Sequence, residues 1–336
     1  MPSTADFSVI MPTFNGSQFI GEALASLSSQ SFQPSEVIAV DDSSTDNTVE
    51  VLETAVRTLN FPLRIIRLER NTGGPAKPMN IGVSQARGKY ILVLDQDDIL
   101  AKDALRLHYK ALSSSMAPVA SVTWCARYGD LETRILQDTI IRETVLSQSA
   151  EIDEYYMLPS GKFAWLMICH GTIPVGFPGF AFPKKLWEQS GGFNEKLKIA
   201  VDFDFLCKLC ASGQVALIPE VGFFHRFHSQ NACNNRSMMY YELACCTARS
   251  AAFYHKSHAI SQQEFVKIHH RIAQIYRKAG NLFASNGNTQ KALYSWLKAS
   301  VYDYNFVYPA KQLIKLALRY TGFALQLFCM IISEML

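Results

Sequence analysis

Tyr90-Ile-Leu-Val-Leu-Asp95-Gln-Asp97-Asp98-Ile-Leu100 is an apolar run that ends in three carboxylates. Its five consecutive β-prone residues predict a strand buried on both faces, and open α/β sheets hold their ligands at the carboxyl ends of such strands. Acids this close together repel one another unless a cation lies among them or water surrounds them at a turn. The stretch therefore predicts either a divalent-metal site or a solvated turn.

Upstream of this strand, strands and helices alternate. The spacing of apolar residues predicts the order β-α-β-α-β-α-β, which implies a parallel sheet with right-handed crossovers. The apolar runs that mark the strands lie at 7–11, 37–40, 63–68 and 90–94. Later in the chain we expect a strand, a long flexible loop and a closing pair of strands, at 119–126, 127–157, 215–219 and 221–224.

Composition excludes several classes of protein. The 336 residues exceed one compact domain, and a net charge of +3 without a Lys/Arg block argues against nucleic acid as a partner. The eight cysteines form no disulfide-like framework, and no signal peptide is expected before Phe7, so we expect a reducing cytoplasm. No G-x-G-x-x-G follows the first strand, which disfavours a dinucleotide oxidoreductase.

Polar groups follow three of the predicted strands and should meet in one crevice. They are Pro12-Thr-Phe-Asn15, Asp41-Asp42 and the acids at 95–98. This set suits a nucleoside diphosphate: an aromatic ring covers the base, a carboxylate accepts its N–H, and a metal binds the phosphates. The alternative is that Phe14 is a core aromatic and that Asp41-Asp42 only caps a turn.

Five segments, in this order and spacing, resemble the successive motifs of the family 2 glycosyltransferases. They are Val9-Ile-Met-Pro-Thr-Phe-Asn15, Val40-Asp-Asp-Ser-Ser-Thr-Asp46, Asn71-Thr-Gly-Gly-Pro75, Asn80-Ile-Gly82 and Leu94-Asp-Gln-Asp-Asp98. The resemblance implies the α/β GT-A fold, with a mostly parallel central sheet, helices on both faces and here a helical C-terminal appendage. It also implies inverting sugar transfer from a nucleotide-sugar, with UDP-sugars favoured, to a glycan or glycolipid hydroxyl, with Mn²⁺ or Mg²⁺ as cofactor.

Site residues follow from this resemblance position by position. It assigns the metal to Asp97 and Asp95, and the general base to Asp202, in a segment that follows Gly191-Gly-Phe193. It assigns nucleotide-sugar binding to Pro12, Thr13, Phe14, Asn15, Asp41, Gly74, Lys77, Asp95, Gln96, Arg226 and His228. Arg226 and His228 are expected either at the leaving diphosphate or in a surface loop. If Asp202 is not the general base, we expect it to cap a helix.

Two positions depart from the family pattern. Met79 stands where similar sequences often carry Arg, and we expect Lys77 either to supply that charge or to be solvated. Val201 replaces the first acid of the pair at the general base, and this loss of a neighbouring charge predicts a lower pKa for Asp202. These departures keep a non-catalytic scaffold of the same fold open as an alternative. A second alternative is a sugar nucleotidyltransferase, although the loop after the first strand lacks the basic residue that such an enzyme would need.

The chain becomes helical after about residue 236. We predict a catalytic domain at 1–235, with its nucleotide half at 1–100 and its acceptor half at 101–235, and a helical region at 236–336. The last helix, at 310–333, carries a narrow basic stripe on an apolar surface. It is expected to attach peripherally to the inner face of the membrane, to dock on a partner or to pack as a terminal helix.

Overall fold

The structure is a computed structural model that describes residues 5–129, 150–171, 176–257 and 260–303. The chain folds into two compact units, Met1–Asn234 and Asn235–Leu336. The helix predicted at 310–333 and most of the loop predicted at 127–157 lie outside the described residues.

The first hundred residues form the predicted alternation of strands and helices. They are β1 (Ala5–Thr13), α1 (Ile20–Ser28), β2 (Pro34–Asp41), α2 (Thr48–Val56), β3 (Leu63–Arg67), α3 (Ala76–Gln85) and β4 (Tyr90–Val93). Apolar side chains spaced three and four residues apart give α1 one buried face, which includes Ile20, Leu24 and Leu27. All four residues of β4 are buried, as predicted for a strand covered on both faces.

The rest of the first unit completes the sheet and adds helices. These elements are β5 (Ile99–Leu100), α4 (Ala104–Leu112), β6 (Ala120–Gly129), β7 (Ala150–Ile152), β8 (Tyr155–Leu158), α5 (Lys162–His170), β9 (Phe180–Pro183), α6 (Lys184–Ser190), α7 (Val201–Cys210) and β10 (Val215–Phe227). The strand predicted at 119–126 is therefore confirmed as β6.

Two sequence predictions are wrong in this part of the fold. Residues 150–157, placed in a loop, belong to the antiparallel pair β7 and β8, and Tyr155 and Met157 pack into an apolar cluster there. The strands predicted at 215–219 and 221–224 are one strand, β10. It passes Pro219 with shifts of register against β6, because proline has no N–H to donate and the ladder accommodates it with an irregularity.

The ten-stranded sheet has the order β3-β2-β1-β4-β9-β6-β10-β8-β7, and β5 pairs with β10. The half built from β1 to β4 is parallel. The chain runs from β1 outward to β2 and β3, then crosses to β4 on the other side of β1. The connections that follow β1 and β4 run to opposite sides at this point of the sheet. The residues that follow these two strands therefore border a crevice.

The second unit contains three helices, α8 (Arg236–Ser257), α9 (Gln262–Ser285) and α10 (Thr289–Asp303), within the described residues. Ser261 and Glu264 form a capping box that starts α9. Phe283 and Trp296 pack between α9 and α10. None of the helices that the structure describes has both the length and the apolar character needed to cross a bilayer.

Candidate active site

The side chain of Gln96 joins the loops that follow β1 and β4. Its Oε1 accepts a hydrogen bond from the backbone N–H of Phe14 at 2.9 Å, and its Nε2 donates to the Phe14 carbonyl at 2.9 Å. Gly16 leaves room for this amide, since a Cβ there would lie 2.1 Å from Gln96 Oε1. The Phe14 ring is 43% exposed, so it is not a core aromatic. Pro12, by contrast, is buried in β1 opposite Val40.

Asp41 ends β2, and the turn that follows fixes its buried carboxylate. Ser44 donates its backbone N–H to Oδ2 at 3.0 Å, while the hydroxyls of Ser44 and Thr13 contact Oδ1 at 2.5 and 3.4 Å. Asn15 links the two turns, because its N–H donates to Ser44 Oγ and its Oδ1 accepts from the Thr45 N–H, both at 2.9 Å. Oδ2 of Asp41 keeps a second lone pair that can accept an N–H from a base.

The glycine loop at 71–75 engages the neighbouring Asp42. Thr72 donates its backbone N–H to both carboxylate oxygens, at 2.9 and 3.1 Å, and its hydroxyl to Oδ2 at 3.0 Å. Burial raises the pKa of Asp42, and the charge of the exposed Lys77 opposes this rise. Gly74 lies against the segment that leads into α7, since a Cβ there would be 3.3 Å from the Leu197 carbonyl oxygen. Lys77 and Gly74 therefore border the loops predicted to bind the donor.

Asn80 fastens α3 to the loop that precedes α7. Its Nδ2 donates to the Phe193 carbonyl at 2.9 Å, and its Oδ1 accepts from the Phe193 N–H at 2.8 Å. Gly192 permits this approach, because a Cβ there would lie 2.8 Å from Asn80 Oδ1. Gly82 allows α3 to pack closely on β1, where a Cβ would meet Ile10 Cγ2 at 2.4 Å. The Asn80-Ile-Gly82 motif thus contributes scaffolding rather than a ligand contact.

Asp95, Asp97 and Asp98 follow β4 in one turn, in which the Asp98 N–H donates to the Asp95 carbonyl at 3.2 Å. Asp98 is 1% exposed, and Asp95 and Asp97 are half-buried. Burial, then the charges of Asp98 and Asp97, raise the pKa of Asp95 well above its usual value. The acids are therefore not the solvated turn of the alternative interpretation.

A half-buried histidine on β10, His225, pairs with the buried Asp98. His225 Nδ1 lies 3.1 Å from Asp98 Oδ1, and the backbone N–H of Arg226 donates to the same oxygen at 2.9 Å. Burial lowers the pKa of His225, but its hydrogen bonds to Asp98 and Cys233 and the nearby acidic charges outweigh burial and raise the pKa to about 10. His225 therefore carries a positive charge among the acids at neutral pH.

His228 and Asn231, in the loop after β10, hold one oxygen of Asp97. His228 Nε2 lies 2.8 Å from Asp97 Oδ2, and Asn231 Nδ2 donates to the same oxygen at 3.4 Å. His228 Nδ1 accepts the backbone N–H of Gln230 at 3.2 Å. The imidazole proton is accordingly on Nε2, which donates it to Asp97. His228 is thus part of the acid cluster rather than of a surface loop.

Arg226 is held in place by groups on both sides of the crevice. Its Nε donates to the Asp97 carbonyl at 3.0 Å, and its Nη2 donates to Glu22 Oε2 at 2.7 Å. The guanidinium also lies over the Phe19 ring, 5.3 Å from the centroid. Arg226 and His228, both predicted at the leaving diphosphate, are thus both bonded to Asp97.

Asp202 lies in the first turn of α7. The Phe203 N–H donates to its Oδ1 at 2.7 Å, and the Gly176 N–H, from the turn before β9, also binds the carboxylate. Burial nevertheless raises the pKa of Asp202 to about 6, against the lowering effect of these bonds and of the His225 charge. Burial therefore sets the direction of this shift, and the lower pKa expected from Val201 in place of an acid stays a prediction.

The charges of Asp202 and His225 act on the acids after β4. After burial, Asp98 and Asp97, the charge of Asp202 adds to the rise in the pKa of Asp95. The charge of His225 lowers the pKa of both Asp95 and Asp202. The predicted base is thus electrostatically coupled to one of the predicted metal-binding acids.

Known protein families and proteins include relatives of this chain. A family model described as Glycosyl transferase family 2 matches residues 8–177 of the chain. The chain belongs to glycosyltransferase family 2. Poly(ribitol-phosphate) beta-N-acetylglucosaminyltransferase TarS of Staphylococcus aureus is 44% identical over 102 residues, which are 30% of this chain and 18% of TarS. Chondroitin synthase of Escherichia coli is 27% identical over 224 residues, 67% of this chain and 29% of that protein. This glycosyltransferase therefore matches less than a third of the length of either relative.

Solved structures share its fold. Residues 1–349 of S. aureus TarS with UDP-GlcNAc give a TM-score of 0.57 at 19% identity, over 93% of this chain and 91% of that one. The mannosyltransferase PcManGT of Pyrobaculum calidifontis, with GDP-Man and Mn²⁺, gives 0.58 at 20% identity, over 98% and 85%. The GT-A fold predicted for this family 2 glycosyltransferase is confirmed.

The residues of the glycosyltransferase fit a divalent cation at Asp97. His228 and Asn231 occupy Oδ2, whereas no described residue bonds to Oδ1, which leaves that oxygen for a cation. In the described parts of the chain, no three acidic, histidine or cysteine side chains form a complete set of metal ligands. An incomplete set suits a cation that also binds phosphate oxygens. Asp95 would add a second carboxylate, and its raised pKa fits a position where a cation takes the place of a proton.

Sequence reasoning missed several residues that build the glycosyltransferase site. Phe19 and Glu22 were given no part in the site, yet both contact Arg226. Asn231 was visible three residues after His228, but its bond to Asp97 depends on how β10 pairs with β5, which follows the acids. Their only sequence signal is position, because Phe19 and Glu22 are three residues apart at the start of α1 and share one face.

Proposed function

We propose that this protein transfers a sugar from a nucleotide-diphosphate sugar to a hydroxyl acceptor, with inversion at the anomeric carbon. The observation that carries the proposal is the cluster of Asp95, Asp97 and Asp98 in one turn after β4, held by His225 and His228 and electrostatically coupled to Asp202 in α7. A cation site and a proton acceptor in one crevice are what a single displacement at a sugar carbon requires. We assign this chemistry to a catalytic domain at residues 1–235.

Asp202 is the general base of the proposed reaction. It takes the proton of the acceptor hydroxyl as that oxygen bonds to the anomeric carbon, while the bond from this carbon to the diphosphate oxygen breaks. The electron pair leaves with the diphosphate, and attack from the opposite face inverts the configuration. A carboxylate with a pKa of about 6 is ionised at neutral pH and is more basic than an ordinary aspartate, which suits this role.

Asp97 and Asp95 would hold Mn²⁺ or Mg²⁺, which neutralises the diphosphate when bound. His228 keeps Asp97 in position through Oδ2, so Oδ1 stays directed to the cation. The charge of His225 offsets the mutual repulsion of the acids before the cation arrives. The Mn²⁺ in the PcManGT structure supports a divalent cofactor.

Phe14, Asp41 and their neighbours would receive the nucleotide. The exposed Phe14 ring offers a face for the base, and Asp41 Oδ2 offers an acceptor for a base N–H. Thr13, Asn15 and Gln96 hold these two groups in place, and Gly74 and Lys77 border the phosphate side. A pyrimidine N–H donor fits Asp41, and the TarS structures with UDP and UDP-GlcNAc support a UDP-sugar.

We infer that the acceptor is a glycan or glycolipid of the cell surface. The names of the relatives support polysaccharide assembly, since they include a poly(ribitol-phosphate) glycosyltransferase and a chondroitin synthase. The segment 310–333, predicted from its sequence to form a basic amphipathic helix, would bring the enzyme to anionic lipid at the inner face of the membrane.

A thermal-shift panel tests the proposed function. Nucleoside diphosphates and nucleotide-sugars are added with and without Mn²⁺, because a ligand that binds only the native state raises the melting temperature. We expect a rise with one UDP-sugar that depends on Mn²⁺, followed by release of UDP when acceptor is supplied. Pyrophosphate release from a nucleoside triphosphate and a sugar phosphate would contradict the proposal. So would nucleotide binding without hydrolysis or transfer across the donor panel.

A further inference from the structure

Phe19, the residue before α1, contacts two side chains from the end of β10. Its ring stacks on the His228 imidazole, with 4.4 Å between ring centroids and 28° between planes. The Arg226 guanidinium lies 5.3 Å from the centroid of the same ring. Phe19 is only half-buried, so the ring is not held by the core alone. Its main partners are the two residues that reach toward the acids after β4.

Both partners of Phe19 form hydrogen bonds with Asp97. His228 donates to the carboxylate at Oδ2, and Arg226 donates to the backbone carbonyl. A flat ring stacked on imidazole sets the plane of that imidazole, and the direction of Nε2 follows from the plane. A change in the tilt of the His228 ring would move the donor away from Oδ2.

Glu22 supports the same arrangement one turn along α1. It accepts from Arg226 Nη2 at 2.7 Å, on the same face of the helix as Phe19. The start of α1 thus makes two contacts with Arg226, through Phe19 and Glu22, and one contact with His228, through Phe19. Phe19 has no group that could ligate a cation, and Glu22 Oε2 is bonded to Arg226, so the influence of both residues passes through His228 and Arg226.

We propose that Phe19 is a positioning residue for Asp97, acting through the stacked His228 ring. The inference rests on the proposed function in one respect, namely that Asp97 holds the cation. Groups that orient a metal ligand change metal affinity without touching the metal. Loss of the aromatic ring should therefore weaken the cation site while the fold persists.

The test compares five variants of the full chain. Phe19→Leu removes the ring and keeps an apolar side chain, and Phe19→Tyr restores the ring. Phe32→Leu is the matched control, since Phe32 is also half-buried and packs on an aromatic ring, that of Tyr109, at 5.0 Å. His228→Ala, alone and combined with Phe19→Leu, asks whether Phe19 acts through His228.

Two measurements are made on each protein. In the first, ¹⁵N-histidine NMR without metal reads the tautomer of His228, and we expect the Nε2–H form in wild type and Phe19→Tyr and a mixture in Phe19→Leu. In the second, Mn²⁺ affinity in the presence of UDP is read from the spin-resonance signal of free Mn²⁺. We expect roughly tenfold weaker binding in Phe19→Leu, recovery in Phe19→Tyr and no change in Phe32→Leu.

Several outcomes decide the inference. An unchanged His228 spectrum together with unchanged Mn²⁺ affinity in Phe19→Leu overturns it. A further tenfold loss when Phe19→Leu is added to His228→Ala also overturns it, because the effect would not pass through His228. If the His228 spectrum changes but wild type binds no Mn²⁺ with UDP, the positioning of His228 by Phe19 stands and the metal assignment of the proposed function fails.

Discussion

Asp95 and Asp202 belong to different elements, yet the charge of Asp202 contributes, after burial and the two acids that follow Asp95, to the raised pKa of Asp95. Asp95 follows a central strand of the sheet, whereas Asp202 begins a helix more than a hundred residues later. Repulsion between carboxylates favours separation unless function holds them together. Their electrostatic coupling is consistent with a metal-bound donor facing a proton acceptor.

Replacement of the proposed base should remove turnover and spare donor binding. We expect Asp202→Asn to lower kcat by about 10²- to 10⁴-fold, because the amide cannot take the acceptor proton. The donor KM should change by less than about threefold. Steady-state assays of UDP release in the presence of acceptor measure both constants. The matched control is Asp204→Asn, on the same helix turn, and near-wild-type transfer by Asp202→Asn would disprove the assignment.

The rate should depend on pH through the same carboxyl group. Because burial raises the pKa of Asp202 to about 6 and the base must be ionised, kcat/KM should be constant above pH 7 and fall below pH 6. The decline should approach tenfold per pH unit at the acid end. A profile measured from pH 4.5 to 8.5 checks this expectation. The residual rate of Asp202→Asn should lack the decline, and a wild-type rate that stays level down to pH 5 would contradict the expected pKa.

The exposed ring of Phe14 should matter for the nucleotide and not for stability. We expect Phe14→Ala to weaken UDP-sugar binding about tenfold, because the variant lacks the ring on which the base would stack. The melting temperature should stay within about 1 °C, since little core packing is removed. Phe253→Ala, which removes a ring of similar exposure at 47% in the second unit, is the control. Equal affinities of wild type and Phe14→Ala in a calorimetric titration would remove Phe14 from the base pocket.

The pair formed by half-buried His225 and buried Asp98 should stabilise the fold in a pH-dependent way. A histidine whose folded pKa is about 10 contributes stability that is fully present below its unfolded pKa of about 6.5 and is lost as the pH rises through about 10. His225→Gln should therefore destabilise the protein by about 3 kcal/mol at pH 6. Its deficit should shrink above pH 10.

Calorimetric melting of wild type and His225→Gln at pH 6 and pH 10.5 measures this difference. The matched control is His270→Gln, because His270 pairs with Asp303 at a similar 3.2 Å but is 58% exposed. An exposed pair should contribute less than about 1 kcal/mol at either pH. A His225→Gln deficit that is the same at both pH values would show that His225 contributes packing and not charge.

Local sequence pattern was sufficient for most of the fold. The strands β1 to β4 were predictable because each is a short apolar run bounded by turn residues, and the helices between them carry apolar residues at helical spacing. The strands β7 and β8 were missed because three and four residues are too few to show a period. Pro219 suggested a break in the chain, but β10 continues past it with a local irregularity that depends on its neighbour β6.

The site was predictable in its residues and not in its connections. The acids after β4 and Asp202 could be named because each stands in a family motif. The pKa of Asp202 could not be predicted, because it depends on burial by segments distant in sequence. The bond between Arg226 and Glu22 spans 204 positions of the chain, and no local pattern reports such a contact. Stacking of Phe19 on His228 is of the same kind.

The most direct measurement is a calorimetric titration of UDP-sugar into wild type and Asp97→Asn, each with and without Mn²⁺. The variant keeps a side-chain oxygen for His228 and loses the charge that would hold the cation. We expect wild type to bind at least about tenfold more tightly with Mn²⁺, and Asp97→Asn to bind equally weakly in both conditions. An Asp97→Asn protein that retains the full Mn²⁺ enhancement would contradict a cation held beneath the donor diphosphate by these acids.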